Sequence, residues 1–220
     1  MDIDAYLRRI NYRGKHVPPA AMLQELHCAH LLTVPFENLD IHLGRPIVLE
    51  QAALFDKIVT RRRGGFCYEL NGLFALLLRE LGFEVTLLAA GVARADGSFG
   101  PEFDHLTLLV RVPVEAAARN PASRILHPPS PIWLADVGFG DSFRAPLRFV
   151  AGVEQAQGER AYRLDRDGEH YTLMQRAAAD WAPQYRFTLQ PHVWADYADT
   201  CRYHQTSPES SFTRKRVCQN

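Results

Sequence analysis

The sequence has no surplus charge of either sign. Its 25 basic side chains are matched by 25 acidic ones. That balance argues against a nucleic-acid binder, which carries a net basic surface, and against an acidic solvating tail. Long hydrophobic runs are also missing. Stretches such as "LFALLL" are far too short to cross a bilayer, and "MDIDAYLRRINYRGK" has no apolar signal core. Cysteine is scarce. Cys28, Cys67, Cys201 and Cys218 form no CxxC pair and do not read as a disulfide framework. The expectation is a cytoplasmic protein with reduced thiols and neither membrane nor nucleic-acid partners. There is no Gly-rich phosphate loop, because "GFG" at 138–140 has too few glycines for a dinucleotide fingerprint. Repeats and low-complexity segments are absent too.

What remains is an ordinary globular composition, 47% hydrophobic, over 220 residues. That length suffices for one sizeable core or two small ones. The first part reads as helical. "DIDAYLRRI" is a short amphipathic piece, and "PPAAMLQELHCAHLLT" starts near Pro19 and stops at Pro35. "LEQAALFDKIVTRR" is a third candidate. A fourth begins at Cys67, with Leu70, Phe74, Leu77, Leu78 and Leu81 on one face and Gly82 as its stop.

After Gly82 the texture turns to β-branched and aromatic runs: "FEVTLLAAGVAR", "HLTLLVRV", "PIWLADVGF" and "WAPQYRFTLQ". "RAYRLDRDGEHYTLMQR" predicts a hairpin turning at Asp167-Gly168. "HVWADYADTCRYHQ" reads as a helix. Near the end, Phe212, Arg214, Arg216 and Cys218 alternate as in a strand, which needs a partner elsewhere or a continuation. The expected fold class is α+β, an N-terminal helical bundle followed by a mostly antiparallel, barrel-like β domain. The expected divisions are 1–82, 83–190 and a helical linker over 191–220.

Chemistry concentrates at "RRRGGFCYELNGLF", residues 61–74. Cys67 falls in the first turn of a helix, where free N–H groups and the dipole favour a thiolate. Gly64 and Gly65 allow a tight turn and close approach. Position alone leaves open whether Cys67 is a reactive sulfur or a small core residue. A thiolate needs a base, and His105 opens a strand with Thr107 and Leu109 on its face. The base needs an orienting acceptor. Asp136 lies inside the apolar "IWLADVGFG", where a carboxylate is costly unless paired; a turn aspartate before Gly138 is the plainer alternative. Cys67, His105 and Asp136 thus supply nucleophile, base and orienter in chain order. Cys201/His204, with His192 upstream, and His27/His30 have ligand-like spacing but fall short of a tetrahedral metal set. Core packing is the expected role of Cys28, and no metal is expected.

"VPFENLDIH" at 34–42, "RGGFCYELNGLF" at 63–74, "DHLTLLV" at 104–110 and "DVGFG" at 136–140 resemble the arylamine N-acetyltransferases. The likeness runs through "TSPESSF" at 206–212. It implies a cysteine-protease-like catalytic core, a role in xenobiotic metabolism and a ping-pong reaction. Cys67 would take the acetyl group of acetyl-CoA as a thioester and pass it to an arylamine, arylhydrazine or hydrazide. Aromatic amines are weak bases and stay unprotonated near neutrality, whereas aliphatic amines resemble lysine. By the same resemblance Phe36, Val92, Phe139 and Phe212 would line the acceptor pocket, and Gly138 would admit the acyl group. Arg63 would pair with Glu37, whereas Arg61 and Arg62 read as a solvated face. How CoA is held is not legible. The family usually continues into a C-terminal α/β lid, so the expectation is a truncated or short form with a more open site. Rival readings are an amide synthase using a larger acyl donor, a papain- or transglutaminase-like cysteine hydrolase, and a non-catalytic binding module.

Overall fold

The structure is a computed structural model describing residues 1–14, 19–112, 131–176 and 178–219. The span expected to form the β part therefore includes a segment, 113–130, outside the described residues.

Helix α1 (Ile3–Arg9) starts where the Asp2 carboxylate accepts the Ala5 N–H at 2.8 Å, and it ends with Arg8 and Arg9 at the negative end of its dipole. Helix α2 spans Pro19–Thr33, with proline in its first turn. Strand β1 (Phe36–Glu37) and the short α3 (Leu39–His42) follow. The third helix of the sequence reading proves composite. It is α4 (Gln51–Phe55) continued by a π-helical turn over Asp56–Thr60.

Helix α5 (Cys67–Glu80) is the centre of the helical part. Its sequence predicts one apolar face, yet it is buried on all sides from Cys67 to Ala75. A helix in the middle of a core must be covered all round. Its first turn is held by the Glu69 carboxylate, which accepts the Phe66 N–H at 3.1 Å. Gly82, at φ +88°, ends it in a conformation that a side chain would strain.

Eight strands then form one antiparallel sheet in the order β5-β4-β3-β2-β9-β8-β7-β6. They are β2 (Glu84–Val92), β3 (His105–Arg111), β4 (Ile132–Ala135), β5 (Leu147–Arg148), β6 (Gln155–Gln157), β7 (Arg160–Asp167), β8 (His170–Arg176) and β9 (Trp181–Phe187). The sheet curls until its edge strands nearly meet. Glutamine side chains, not a backbone ladder, bridge the seam. Gln155 bonds both the N–H and the C=O of Arg148, and Gln157 does the same for Ala145. The result is a nearly closed barrel. β2 and β3 have two faces, as period-two alternation requires. Leu87, Ala89, Leu106, Leu108 and Val110 pack on the helices, whereas Leu88 and Ala90 enter a second core with Tyr162, Tyr185 and Phe187 inside the barrel.

The chain returns through a 3₁₀ turn (Trp194–Tyr197), α6 (Ala198–Thr206) and α7 (Ser211–Arg214). The alternating C-terminal pattern was expected to be a strand from Phe212 onward. Instead Phe212 and Arg214 lie on α7, where Ser210 caps the turn by accepting the Phe212 N–H at 3.2 Å. Only β10 (Cys218–Gln219) is extended, and β1 is its antiparallel partner. Asn38, fully buried, clamps this return. Its amide donates to the carbonyls of Phe212 (2.9 Å) and Lys215 (2.7 Å) and accepts the Val217 N–H (2.8 Å).

Candidate active site

Three elements deliver the three chemistry-bearing side chains to one place. Cys67 opens α5, His105 opens β3, and Asp136 follows the last residue of β4. The β3/β4 register sets Leu108 opposite Ala135, so the chain leaves β4 beside the start of β3. His105 Nε2 and Asp136 Oδ2 are 2.6 Å apart. The backbone N–H of Leu106, the residue after His105, faces the Cys67 thiol and favours its anion. Cys67, His105 and Asp136 are only 3%, 2% and 1% exposed, so the cluster is shielded from bulk water.

The Asp136 carboxylate is well supplied with donors. Its Oδ1 accepts from Asn71 Nδ2 at 2.8 Å and from the Gly138 N–H at 3.0 Å. Burial alone would raise its pKa, but the His105 charge and these hydrogen bonds outweigh it and hold the carboxyl below its ordinary range. Asn71, one helical turn after Cys67, is the hub. It also donates to the Leu106 carbonyl at 2.6 Å and accepts the Val137 N–H at 2.8 Å. The signal for it was available: an asparagine on the buried side of an apolar helix, four residues from the cysteine. His27, weighed only as a metal ligand, holds the Asp136 backbone. Its Nε2 accepts the Asp136 N–H at 3.1 Å while its Nδ1 donates to the Arg144 carbonyl at 2.9 Å. Tyr185 packs its ring 5.0 Å from His105, and its hydroxyl pairs with Thr107 at 3.2 Å. Its position on β9 carries no local sequence signal.

The thiol differs from expectation. A helix N-terminus predicts a lowered pKa, but burial pushes the Cys67 thiol well above its ordinary value, with the Asp136 charge adding to this and only the Leu106 N–H opposing it. Formation of the thiolate therefore requires a proton acceptor at the site.

Gly138 is needed for contact. A Cβ there would lie 2.8 Å from both Cys67 Cα and Asn71 Nδ2. Gly64 is equally constrained, since a Cβ would sit 2.0 Å from the Pro35 carbonyl oxygen. Phe139 is half-buried with its ring 5.0 Å from His105 and 4.9 Å from Tyr185. Phe212 sits edge-on to Phe66, the residue before the cysteine, at 5.7 Å, and its ring is 6.2 Å from that of Phe36. Val92, at the end of β2, pairs with Tyr185 of β9.

Beside the α5 N-terminus is a buried ion cluster. Lys57 Nζ lies 2.8 Å from both Glu69 and Asp40, and Arg63 lies 2.7 Å from Glu37 and 3.2 Å from Asp40. The Arg63–Glu37 pair implied by the resemblance is therefore present. Burial would lower the Lys57 pKa, but the facing carboxylates outweigh it and hold the ammonium above its ordinary range. Arg61 pairs with Asp56 on the surface. All four cysteines are free, and no group of three or more His, Cys, Asp and Glu side chains among the described residues could hold a metal ion. No helix among them is long and apolar enough to cross a membrane.

A mixed α and barrel-like β fold encloses this cluster, and known acyltransferases resemble it in sequence and in architecture. The N-acetyltransferase family profile matches residues 20–220. The arylamine N-acetyltransferase of Mycolicibacterium smegmatis is 40% identical over 216 residues, spanning 96% of this chain and 74% of the relative. The arylamine N-acetyltransferase / N-hydroxyarylamine O-acetyltransferase of Salmonella typhimurium is 36% identical, over 96% and 69%. Among solved structures, an M. smegmatis arylamine N-acetyltransferase superposes with a TM-score of 0.86 at 37% identity, covering 99% of this chain and 76% of the other. The Mycobacterium marinum enzyme in complex with CoA gives 0.85 at 34%, over 99% and 76%. The chain belongs to the arylamine N-acetyltransferase family.

Proposed function

We propose that the protein moves an acetyl group from acetyl-CoA, through a thioester on Cys67, to an arylamine, arylhydrazine or hydrazide. The observation that carries this reading is the His105–Asp136 contact beside the Cys67 sulfur. Because Nε2 is committed to Asp136, Nδ1 is the nitrogen left to take the thiol proton. Transfer of that proton creates a thiolate–imidazolium pair. The thiolate attacks the thioester carbonyl; the C–S bond to Cys67 forms, the C–S bond to CoA breaks, and CoA leaves with the proton from His105. A neutral aromatic amine then attacks the acetyl-enzyme. Its proton passes to His105 and on to the departing Cys67 sulfur, so the enzyme returns unchanged.

Asp136 keeps the imidazole turned and stabilises its charged form. Phe36, Phe139 and Phe212 supply apolar surface for the acceptor ring, Val92 lies at the margin, and Gly138 leaves room beside the sulfur for the acyl group. The complex of the M. marinum relative with CoA supports acetyl-CoA as the donor. No metal has a part in these steps.

The test is mass spectrometry after mixing with acetyl-CoA and no amine. One acetyl on the peptide containing Cys67, absent in Cys67→Ala, is the expected result. Acetylation elsewhere, or none at all, overturns the reading.

A further inference from the structure

His204 was weighed in the sequence only as a weak metal ligand, yet it is buried. It is 5% exposed, on α6, and it bridges two segments that the proposed reaction uses. Its Nδ1 lies 3.1 Å from Ser210 Oγ. Its Nε2 lies 3.2 Å from Asp104 Oδ1, off the line of a well-aligned hydrogen bond. The tautomer with its proton on Nε2 turns that N–H side toward the carboxylate and leaves Nδ1 to accept the Ser210 hydroxyl proton. Ser210 Oγ in turn accepts the Phe212 N–H at 3.2 Å. The Phe212 ring stands edge-on to the imidazole at 5.2 Å and to Phe66 at 5.7 Å.

The other end of the bridge is equally committed. Asp104 immediately precedes His105, and its carbonyl and that of Phe103 face the Tyr68 hydroxyl at 3.4 and 2.6 Å. Gly100 keeps the space for its carboxylate, since a Cβ there would come within 2.2 Å of Asp104 Oδ2. Tyr68 is the residue after Cys67, and its ring lies 6.1 Å from His204. In the chain Asp104–His204–Ser210–Phe212, the Asp104 carbonyl and the His204 ring adjoin Tyr68 and the Phe212 ring adjoins Phe66, the residues on either side of Cys67.

We propose that His204 is a positioning residue for acceptor selection: by tying Ser210 to Asp104 it fixes the Phe212 ring over the site and so limits the width of the aromatic amine admitted. This rests on the reading that Cys67 carries the acetyl group and Phe212 walls the acceptor pocket. The tether acts on the second half-reaction only, because the first needs the sulfur, the imidazole and the donor thioester.

The experiment compares the unaltered chain with His204→Leu, His204→Gln and Asp104→Asn. Two quantities are read: the rate of Cys67 acetylation by acetyl-CoA alone, and kcat/KM for aniline against a two-ring arylamine. With the tether cut, acetylation stays within about twofold while the two-ring to one-ring ratio rises about 5- to 10-fold, the worth of one lost hydrogen bond. His204→Gln, which retains a donor and an acceptor, recovers part of the original ratio. An unchanged ratio in His204→Leu with normal acetylation overturns this inference alone. So does an equal loss in both half-reactions, which marks a merely structural histidine. If the unaltered chain takes no acetyl on Cys67, the reading beneath falls and this inference with it.

Discussion

At the scale of single residues, the two buried asparagines show how much a side-chain amide fixes. Asn71 spends both donors and its acceptor on three partners, and one of them is the Asp136 carboxylate. This determines what Asp136→Asn would do. The new amide must turn its oxygen toward the two donors, Asn71 Nδ2 and the Gly138 N–H, leaving its NH₂ against His105 Nε2. The imidazole would then carry its proton on Nδ1, the nitrogen needed to accept one. By analogy with hydrolase triads, kcat should fall on the order of 10³- to 10⁴-fold while the fold survives. Steady-state kinetics with a circular-dichroism control checks this; full activity in the variant removes Asp136 from the mechanism.

At the scale of elements, α2 carries an acid sensitivity of its own. Burial holds His27 down to about 4 and His30 to about 3, with the His27 charge further opposing protonation of His30. In the unfolded chain both titrate near 6.5, so below that pH the unfolded state binds more protons and stability falls with acid. The loss begins near pH 6.5, above the carboxylate range, and continues until the folded pKa values are reached. By pH 5 it amounts to about 2 kcal/mol per histidine. Urea unfolding at pH 7.5, 6 and 5 measures it, and a flat midpoint across that range would contradict the neutral, buried state of both rings.

Elements also differ in how plainly the sequence announced them. β3 was legible because His105, Thr107 and Leu109 alternate with Leu106, Leu108 and Val110, and the two sets face the barrel and the helices. α5 was legible as a helix but not as one buried all round, because polar Glu69 looks solvent-facing until its Lys57 partner is known. The π-helical turn at Asp56–Thr60 has no periodicity of its own to read. The barrel seam depends on glutamines that reach across space from β6 to β5, which no local pattern reveals. In the site, Cys67, His105 and Asp136 stood out because their residue types are costly where they lie. Tyr185 and His27 did not, since an aromatic or histidine in an apolar run looks like core.

Across the whole molecule, the C-terminal return is fastened to the helical part chiefly by Asn38. Asn38→Ala deletes three part-buried hydrogen bonds, leaving the Phe212 carbonyl and the Val217 N–H without their side-chain partner while the Lys215 carbonyl keeps His42 Nε2 at 3.1 Å. A loss of about 2–4 kcal/mol is expected. Its distinguishing mark is locality: limited proteolysis should cut near residues 211–217 before the barrel is attacked. Uniform susceptibility along the chain would mean that the return is held by its other contacts. Gly138 bears on a different use of the same architecture. Backbone meets backbone where it touches Cys67, so that wall cannot be carved to accept a bulkier acyl donor; it can only be filled. Under the proposed acetyl transfer, a redesign to carry longer chains would have to cut into the aromatic side chains Phe139 or Phe212, and donor and acceptor preferences would then change together.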